Sequence, residues 1–300
     1  MNKKTARTVT YSGLAAALLF SAAAHSESST AEDLLARGDY LVNGVVACGN
    51  CHSSRTPDGE FADGMELAGG FVIEEPAFKA YAPNITPDTR TGIGNWSDAD
   101  LILAIREGIR PDGRVLGPPM AFEVYRQISD YDIRAIVAYI RSVPAVENEV
   151  PLSTYNISLP PSWGPPLGSV PDVPRDDIVA YGAYLTGPLG HCTECHTPIV
   201  RGQFDRSRTG AGGNRFQNPL GQNYTTVSSN ITQHAELGLG KWSDEEIKRA
   251  ITTGISRGEG ELLPFMGFSF YAKISDEDLD AIVAYLRTLP PATAVAEFVE

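Results

Sequence analysis

The clearest pattern along the chain is a helical spacing of apolar residues. Within residues 133–140, isoleucine and valine recur at intervals of three or four positions, which places them on one face of a helix. Ser129 and Asp132 precede this run as in a capping box, where both side chains bond to free amides at a helix start, and Pro144 ends the helix. The same capping pattern predicts three further helix starts, at Ser97 with Asp100, at Ser243 with Glu246 and at Ser275 with Asp278.

Two more helices are expected near residues 31–43 and 175–186, each leading into a pair of cysteines. Convincing strand patterns, in which polar and apolar residues alternate, are few. The sequence therefore predicts an all-α fold, with a long loop between each cysteine pair and the next capped helix.

The chain is also a repeat of one unit. Its matching segments are separated by 146 positions, whereas its two cysteine pairs are separated by 144, so the loop after the cysteines is two residues longer in the second copy. A repeat of this length indicates two copies of a domain and not a solenoid. The matching segments are 84–86 with 230–232, 94–98 with 240–244, and 136–139 with 282–285.

The stretch between the copies is rich in proline, with eight from Pro144 to Pro174. Because proline fixes φ and lacks an N–H group, this stretch is not a regular helix, and an extended connector is expected. We therefore predict a first domain at 25–144, a proline-rich linker at 145–174 and a second domain at 175–300.

The first 24 residues have the features of a secretory signal peptide. A basic start precedes an apolar run over 14–24, and three alanines ending at Ala24 offer a cleavage site. The run is too short to span a bilayer, although a retained anchor is the alternative. We expect an exported, periplasmic protein without a membrane span in its mature chain. Its formal net charge of −13 argues against nucleic acid as a partner.

Each copy contains the run Cys-x-x-Cys-His, which is the attachment signature of c-type haem. The two thiols add to the vinyl groups of the porphyrin, and the histidine ligates the iron. We therefore predict two haem c groups. The attachment cysteines are Cys48, Cys51, Cys192 and Cys195, and the axial histidines are His52 and His196. A four-cysteine zinc site, a thioredoxin-like redox pair and two structural disulfides are the alternatives.

Two methionines occupy matching positions in the copies and are the candidates for the sixth iron ligand. Met120 and Met266 are separated by 146 positions, and each lies in a proline-containing loop before the last helix of its copy. A thioether opposite histidine raises the reduction potential of haem and closes the iron to other ligands. Met65, His191 and His234 have no counterpart in the other copy and are interpreted as packing or surface residues.

These motifs resemble a duplicated class I cytochrome c. More narrowly, the chain is similar to the multihaem cytochrome subunits that accept electrons from periplasmic alcohol, aldehyde and sugar-acid dehydrogenases. The resemblance implies the fold, the haem attachment and the axial ligands, although many of those subunits carry three haem motifs and this chain has two. It rests on residues 84–88, 92–97, 118–120 and 136–144.

Three functions fit such a chain. Electron transfer from a dehydrogenase to an oxidase or another cytochrome is favoured, because both methionines would close their iron positions. The alternatives are a dihaem enzyme, such as a peroxidase or a thiosulfate-oxidising cytochrome, and a haem-based sensor.

Two further expectations concern the surroundings of the haems. Trp96 and Trp242, with Asn84 and Asn230, are expected to line the haem pockets, because a buried indole N–H needs a partner such as a propionate. The loops after the histidines differ in charge: residues 53–82 hold two basic and six acidic residues, whereas 197–229 hold four basic and one acidic. This difference suggests that the two haems face different partners.

Overall fold

The computed structural model describes residues 30–217, 224–263 and 265–294. The signal peptide predicted at residues 1–24 lies outside these ranges. Among the described residues, no helix is both long enough and apolar enough to cross a membrane.

The first copy starts with a helix that runs towards the first cysteine pair. Helix α1 (Ala31–Tyr40) continues as a π-helical turn over Leu41–Val45, and the short α2 (Cys48–His52) carries the cysteines and the histidine. The elements that follow are β1 (Val72–Glu75), β2 (Phe78–Tyr81), α3 (Asp98–Glu107), α4 (Phe122–Tyr125) and α5 (Asp130–Ser142).

The second copy repeats the helical order after a short strand in the connector, β3 (Thr154–Tyr155). Helix α6 (Ile178–Tyr184) continues as a π-helical turn over Leu185–Leu189 into α7 (Cys192–Cys195). The next elements are the strands β4 (Ile199–Val200), β5 (Gln203–Phe204), β6 (Arg215–Gln217) and β7 (Thr225–Val227), then the helices α8 (Asp244–Thr253), α9 (Phe268–Tyr271) and α10 (Asp276–Leu286).

The prediction of an all-α fold is wrong. The described residues form three antiparallel sheets: β1, β2 and β3 in one, β4 with β5, and β6 with β7. Each strand is only two to four residues long, so none shows the alternation that identifies a strand in a sequence. All strands except β3, which lies in the connector, are in the long loops after the cysteine pairs, whereas the helices follow the predicted order.

Capping boxes start α3 and α8 as the sequence predicts. The Ser97 hydroxyl accepts a hydrogen bond from the Asp100 N–H, and the Asp100 carboxylate accepts one from the Ser97 N–H. The prediction is only half right for α5 and α10. Their serines cap the helices, but the carboxylates of Asp132 and Asp278 bond to other groups.

The first and last helices of each copy cross at a glycine. A Cβ atom on Gly38 in α1 would lie 2.0 Å from the carbonyl oxygen of Ala135 in α5. A Cβ atom on Gly182 in α6 would lie 1.8 Å from the carbonyl oxygen of Ala281 in α10. The two helix pairs therefore approach to backbone contact, which only glycine permits.

One continuous apolar core joins the two copies. The π-helical turns meet within it, and Leu41, Val45, Leu185 and Leu189 are almost completely buried. The contact also contains reciprocal hydrogen bonds, from the Tyr40 hydroxyl to Asp278 at 2.7 Å and from the Tyr184 hydroxyl to Asp132 at 2.8 Å. The interface between the copies is therefore packed and bonded in the same way as the interior of each copy.

Candidate haem sites

A cavity whose walls are almost entirely apolar lies beside Cys192 of the second cysteine pair. Cys192, His196 and Met266 all line it, so the structure brings together the three side-chain types predicted for the second haem. Apolar residues complete the wall: Val45, Leu185, Ile231, Ile251, Ile274, Ile282 and Leu286. Val45 belongs to the first copy, so both copies build this cavity.

A backbone carbonyl orients each predicted axial histidine. The Nδ1 atom of His52 lies 2.9 Å from the carbonyl oxygen of Pro83, and Nδ1 of His196 lies 2.7 Å from that of Ser229. Because a carbonyl oxygen only accepts, Nδ1 is the protonated nitrogen and Nε2 keeps its lone pair. Burial lowers the pKa of both imidazoles, which favours the neutral form. Both histidines therefore present a basic Nε2, as an iron ligand requires.

Asn84 and Asn230 support the loops that supply these carbonyl groups. The Asn84 side-chain amide donates to the Val146 carbonyl at 2.7 Å, and its oxygen accepts from the Thr86 N–H at 2.9 Å. Asn230 bonds in the same way to Ala292 and Thr232. Each asparagine directly follows the residue that bonds the histidine. The asparagines thus fix the loops that orient the histidines.

The four cysteines are half-buried, and none of them forms a disulfide. Burial raises the pKa of Cys48 to about 12 and that of Cys192 to about 11. The structure contains neither of the two disulfides considered as an alternative. Within the described ranges, no group of three or more histidine, cysteine and acidic side chains could hold a metal ion, as a four-cysteine zinc site would require.

The two tryptophans pack at the edge of the core. Trp96 and Trp242 are both half-buried against apolar residues, and the Arg110 guanidinium lies over the Trp96 ring at 5.0 Å from its centroid. Met120 is also half-buried at the core edge, in the loop before α4. His191, interpreted as a packing or surface residue, packs against an aromatic ring. The His191 ring lies 5.9 Å from that of Tyr125, and burial lowers its pKa to about 4.

Sequence reasoning missed that the two cysteine sites lie against each other. A Cβ atom on Gly49, between Cys48 and Cys51, would lie 2.9 Å from the Phe270 ring of the second copy. Burial and the neighbouring Glu194 and Cys192 raise the pKa of Cys195 to about 12, and Cys51 of the first copy adds to this shift. The repeat offers one sequence signal for this contact, a tyrosine at the same position of each copy. These residues, Tyr125 and Tyr271, are buried beside the cysteine pairs.

An acidic group lies at the same junction. Burial raises the pKa of Glu194 to about 7, with a further contribution from the carboxylate of Glu123 in the first copy, while Arg206 opposes the shift. Arg206 itself forms an ion pair with Glu123 at 3.3 Å. A charged cluster from both copies therefore borders the second attachment site.

Comparison with known proteins identifies the second copy. Residues 179–290 match the family model of cytochrome c. This range contains Cys192, Cys195, His196 and Met266. The match supports haem c as the cofactor of a chain with two Cys-x-x-Cys-His runs. Residues 179–290 belong to the cytochrome c family, and the first copy repeats their motifs.

The chain is also similar over most of its length to known cytochrome subunits. It is 33% identical over 287 residues to the cytochrome c subunit of the quinone-type alcohol dehydrogenase of Gluconobacter oxydans, covering 89% of this chain and 57% of that protein. It is 31% identical to the fructose dehydrogenase cytochrome subunit of Gluconobacter japonicus, covering 85% and 52%. The chain thus spans little more than half the length of these relatives.

A shorter relative matches the chain more evenly in length. The dihaem c-type cytochrome of Cereibacter sphaeroides is 29% identical over 264 residues, which cover 81% of this chain and 82% of that protein. These findings confirm the predicted resemblance and haem c as the cofactor, with two attachment motifs in the chain. They also agree with electron transfer as the general role.

Proposed function

We propose that this protein is an exported dihaem cytochrome that passes electrons from a periplasmic dehydrogenase to a downstream respiratory acceptor. One haem is bound by Cys48, Cys51, His52 and Met120, and the other by Cys192, Cys195, His196 and Met266. The observation that carries the proposal is the convergence of Cys192, His196 and Met266 on one apolar cavity.

Haem c supplies a metal centre that gains and loses one electron. The residues of the chain determine how it does so. The cysteines fix one edge of the group, and the histidines, oriented by the carbonyl groups of Pro83 and Ser229, supply one ligand each. The apolar walls exclude water, which limits the reorganisation that accompanies a change of charge.

The contact between the two attachment sites supports transfer within the molecule. Gly49 lies against Phe270, and Tyr125 and Tyr271 are buried beside the two cysteine pairs. With haem c bound at both sites, these residues would form the short route between the two groups. The relatives that are subunits of alcohol and fructose dehydrogenases support a dehydrogenase as the donor.

The proposal is tested on the purified holoprotein. Intact-mass measurement should give two covalent haems, and the reduced protein should not bind carbon monoxide. Met120→Ala and Met266→Ala should each turn one haem high-spin and open it to carbon monoxide. If the parent protein binds carbon monoxide at one haem, the dihaem enzyme becomes the better interpretation.

The donor is tested by stopped-flow reduction. The holoprotein is mixed with the substrate-reduced catalytic subunits of an alcohol, a fructose and a gluconate dehydrogenase. Rapid reduction by at least one of them, slowed at high ionic strength, is the expected result. Uniformly slow reduction by all three would contradict a dehydrogenase of these types as the donor.

A further inference from the structure

The connector between the copies is bound along its length to the first copy. The Val146 carbonyl accepts from Asn84, and the Asn148 amide donates to the Ala68 carbonyl at 2.8 Å. Further on, Thr154–Tyr155 forms β3 and pairs with β2, and the Ser169 hydroxyl donates to Asp130 at 2.5 Å. The connector is therefore an ordered part of the first copy and not a free tether.

Two aromatic residues of the connector hold the loop that carries Met120. The indole N–H of Trp163 donates to the Leu116 carbonyl at 2.8 Å, and the Tyr155 hydroxyl donates to the Pro118 carbonyl at 3.3 Å. The Trp163 ring also stacks on Phe122, with 5.7 Å between ring centroids and 24° between ring planes. The contacted residues flank Met120: Leu116 and Pro118 lie four and two residues before it, and Phe122 lies two residues after it.

The first copy is shaped to receive these rings. A Cβ atom on Gly117 would lie 2.4 Å from the Tyr155 ring, and one on Gly108 would lie 2.8 Å from the Trp163 ring. Gly108 also ends α3 with a φ of 65°, a conformation that favours glycine. The loop and the two aromatic side chains of the connector therefore fit together as one packed unit.

The loop of Met266 is built differently. Leu263 stands at the position equivalent to Gly117, and its side chain is 46% exposed. A leucine there leaves no room for a ring placed as Tyr155 is in the first copy. Between described residues, no hydrogen bond is donated to the carbonyl of Leu262, the equivalent of Leu116. The Met266 loop is instead packed through Phe265, whose ring centroid lies 4.9 Å from that of Phe216 in β6. The two methionine loops thus differ in how they are held: the first has hydrogen bonds and a stacked ring from the connector, and the second has an aromatic contact with its own copy.

We propose that Tyr155 and Trp163 are positioning residues that hold Met120 on the first haem iron, so that this methionine is harder to displace than Met266. The inference rests on the proposed ligand role of the two methionines. It makes the first haem the one that stays closed to external ligands, and the second the one whose iron opens first.

The experiment follows displacement of methionine by imidazole in the oxidised holoprotein, using the red charge-transfer band of haem with histidine and methionine ligands. In Met266→Ala only the first haem contributes to this band, and in Met120→Ala only the second does. The imidazole midpoint should be higher in Met266→Ala than in Met120→Ala.

Trp163→Phe keeps the stacking and removes the N–H donor. In the Met266→Ala background it should lower the imidazole midpoint of the first haem roughly two- to tenfold, the range expected for one hydrogen bond. Tyr155→Phe should act in the same direction. In the Met120→Ala background neither change should move the midpoint of the second haem, which also controls for general destabilisation.

An unchanged midpoint for the first haem, or an equal shift in both backgrounds, would overturn the positioning role. A separate result would show that the ligand assignment itself is wrong. If Met120→Ala keeps the whole charge-transfer band of the parent, Met120 is not an iron ligand. The proposed first haem site would then fail, whatever the connector does.

Discussion

Tyr40 in α1 donates a hydrogen bond to the buried carboxylate of Asp278 in α10, 238 positions later in the chain, at 2.7 Å. The same hydroxyl accepts from the Ser275 N–H at 3.2 Å. Tyr184 forms the matching pair of contacts with Asp132 and Ser129. The helix starts of α5 and α10 are therefore each completed by a tyrosine from the other copy.

Replacing these tyrosines should weaken the fold to different extents. Without Tyr40, the Asp278 carboxylate keeps, among the residues that the structure describes, only the exposed Arg175 at 3.4 Å. Without Tyr184, Asp132 keeps the largely buried Arg37 through two bonds of 2.8 and 2.9 Å. We expect Tyr40→Phe to lower the free energy of unfolding by about 2 kcal/mol and Tyr184→Phe by about 1 kcal/mol. Urea unfolding of the holoprotein at neutral pH measures both, and the opposite order would contradict this account.

The glycines at the helix crossings should tolerate no side chain. In Gly38→Ala and Gly182→Ala, the new methyl group meets a backbone carbonyl at 2.0 or 1.8 Å, so the helices must separate. Overpacking of this kind costs about 1–3 kcal/mol. Gly168→Ala is the control, because Gly168 is exposed and a Cβ atom there meets nothing within 4 Å. Thermal unfolding should show a lower Tm for the first two variants alone; an unchanged Tm would mean that the crossing adjusts freely.

Much of this architecture follows from local sequence signals. Capping serines and helical apolar spacing predict α3, α5, α8 and α10, because these features act within one or two turns, whereas the short α4 and α9 carry no such signal. The strands escaped prediction, since Val72–Glu75 does not alternate and the sheet is completed from a distance: Phe78–Tyr81 pairs on one side with Val72–Glu75 and on the other with the connector. Asp132 was assigned to its own helix cap because its actual partners, Tyr184 and Arg37, are distant in sequence.

The candidate sites also have a part that local sequence signals reveal and a part that depends on distant contacts. The cysteines and histidines are contiguous in the chain, so their motif is visible in the sequence. The roles of Pro83 and Ser229 are not visible, because a backbone carbonyl carries no sequence signal. The function of Trp163 in the connector depends on a loop 47 positions earlier, and only the folded chain brings the two together.

Acid should weaken the contact between the connector and α5. The pKa of Asp130 is lowered from its ordinary value of 3.8 to about 2. The larger cause is the hydrogen bond from the Ser169 hydroxyl, and the next is the hydrogen bond from the Arg106 guanidinium. A carboxyl group whose pKa is lower in the folded than in the unfolded chain stabilises the fold at pH values above its unfolded pKa. This contribution is lost as the pH falls from about 4 to about 2. The half-exposed carboxylate limits it to about 1 kcal/mol.

Ser169→Ala tests this pH dependence. It removes the larger cause of the shift, so the difference in unfolding free energy between parent and variant should be present at pH 7 and should shrink towards pH 2. Urea unfolding at a series of pH values measures it. A difference that stays constant with pH would show that the serine acts on something other than the ionised carboxylate.

The charge difference between the two loops predicts a partner-specific effect. In the second loop, Arg206 and Arg208 are paired with Glu123 and Asp205, whereas Arg201 and Arg215 are exposed and, among the described residues, form no ion pair. Arg201→Glu with Arg215→Glu should therefore slow electron exchange with one redox partner only, most strongly at low salt.

Charge reversal at the paired positions is the matched comparison. Arg206→Glu with Arg208→Glu breaks ion pairs within the protein, so it should affect thermal stability more than the first pair of changes does. Stopped-flow rates with donor and acceptor at low and high salt distinguish the two cases. Equal rates for parent and Arg201/Arg215 variants at low salt would mean that the loop is only solvated surface.

The reciprocal bonds of Tyr40 and Tyr184 have a consequence for assembly. One copy contributes a tyrosine to the other and receives one at the equivalent position, which is the arrangement of an isologous homodimer. A surface of this kind is complementary to itself, and two separate copies would meet at a rate and an extent set by their concentration. The connector makes their association intramolecular, so the pairing of the two sites persists at any dilution.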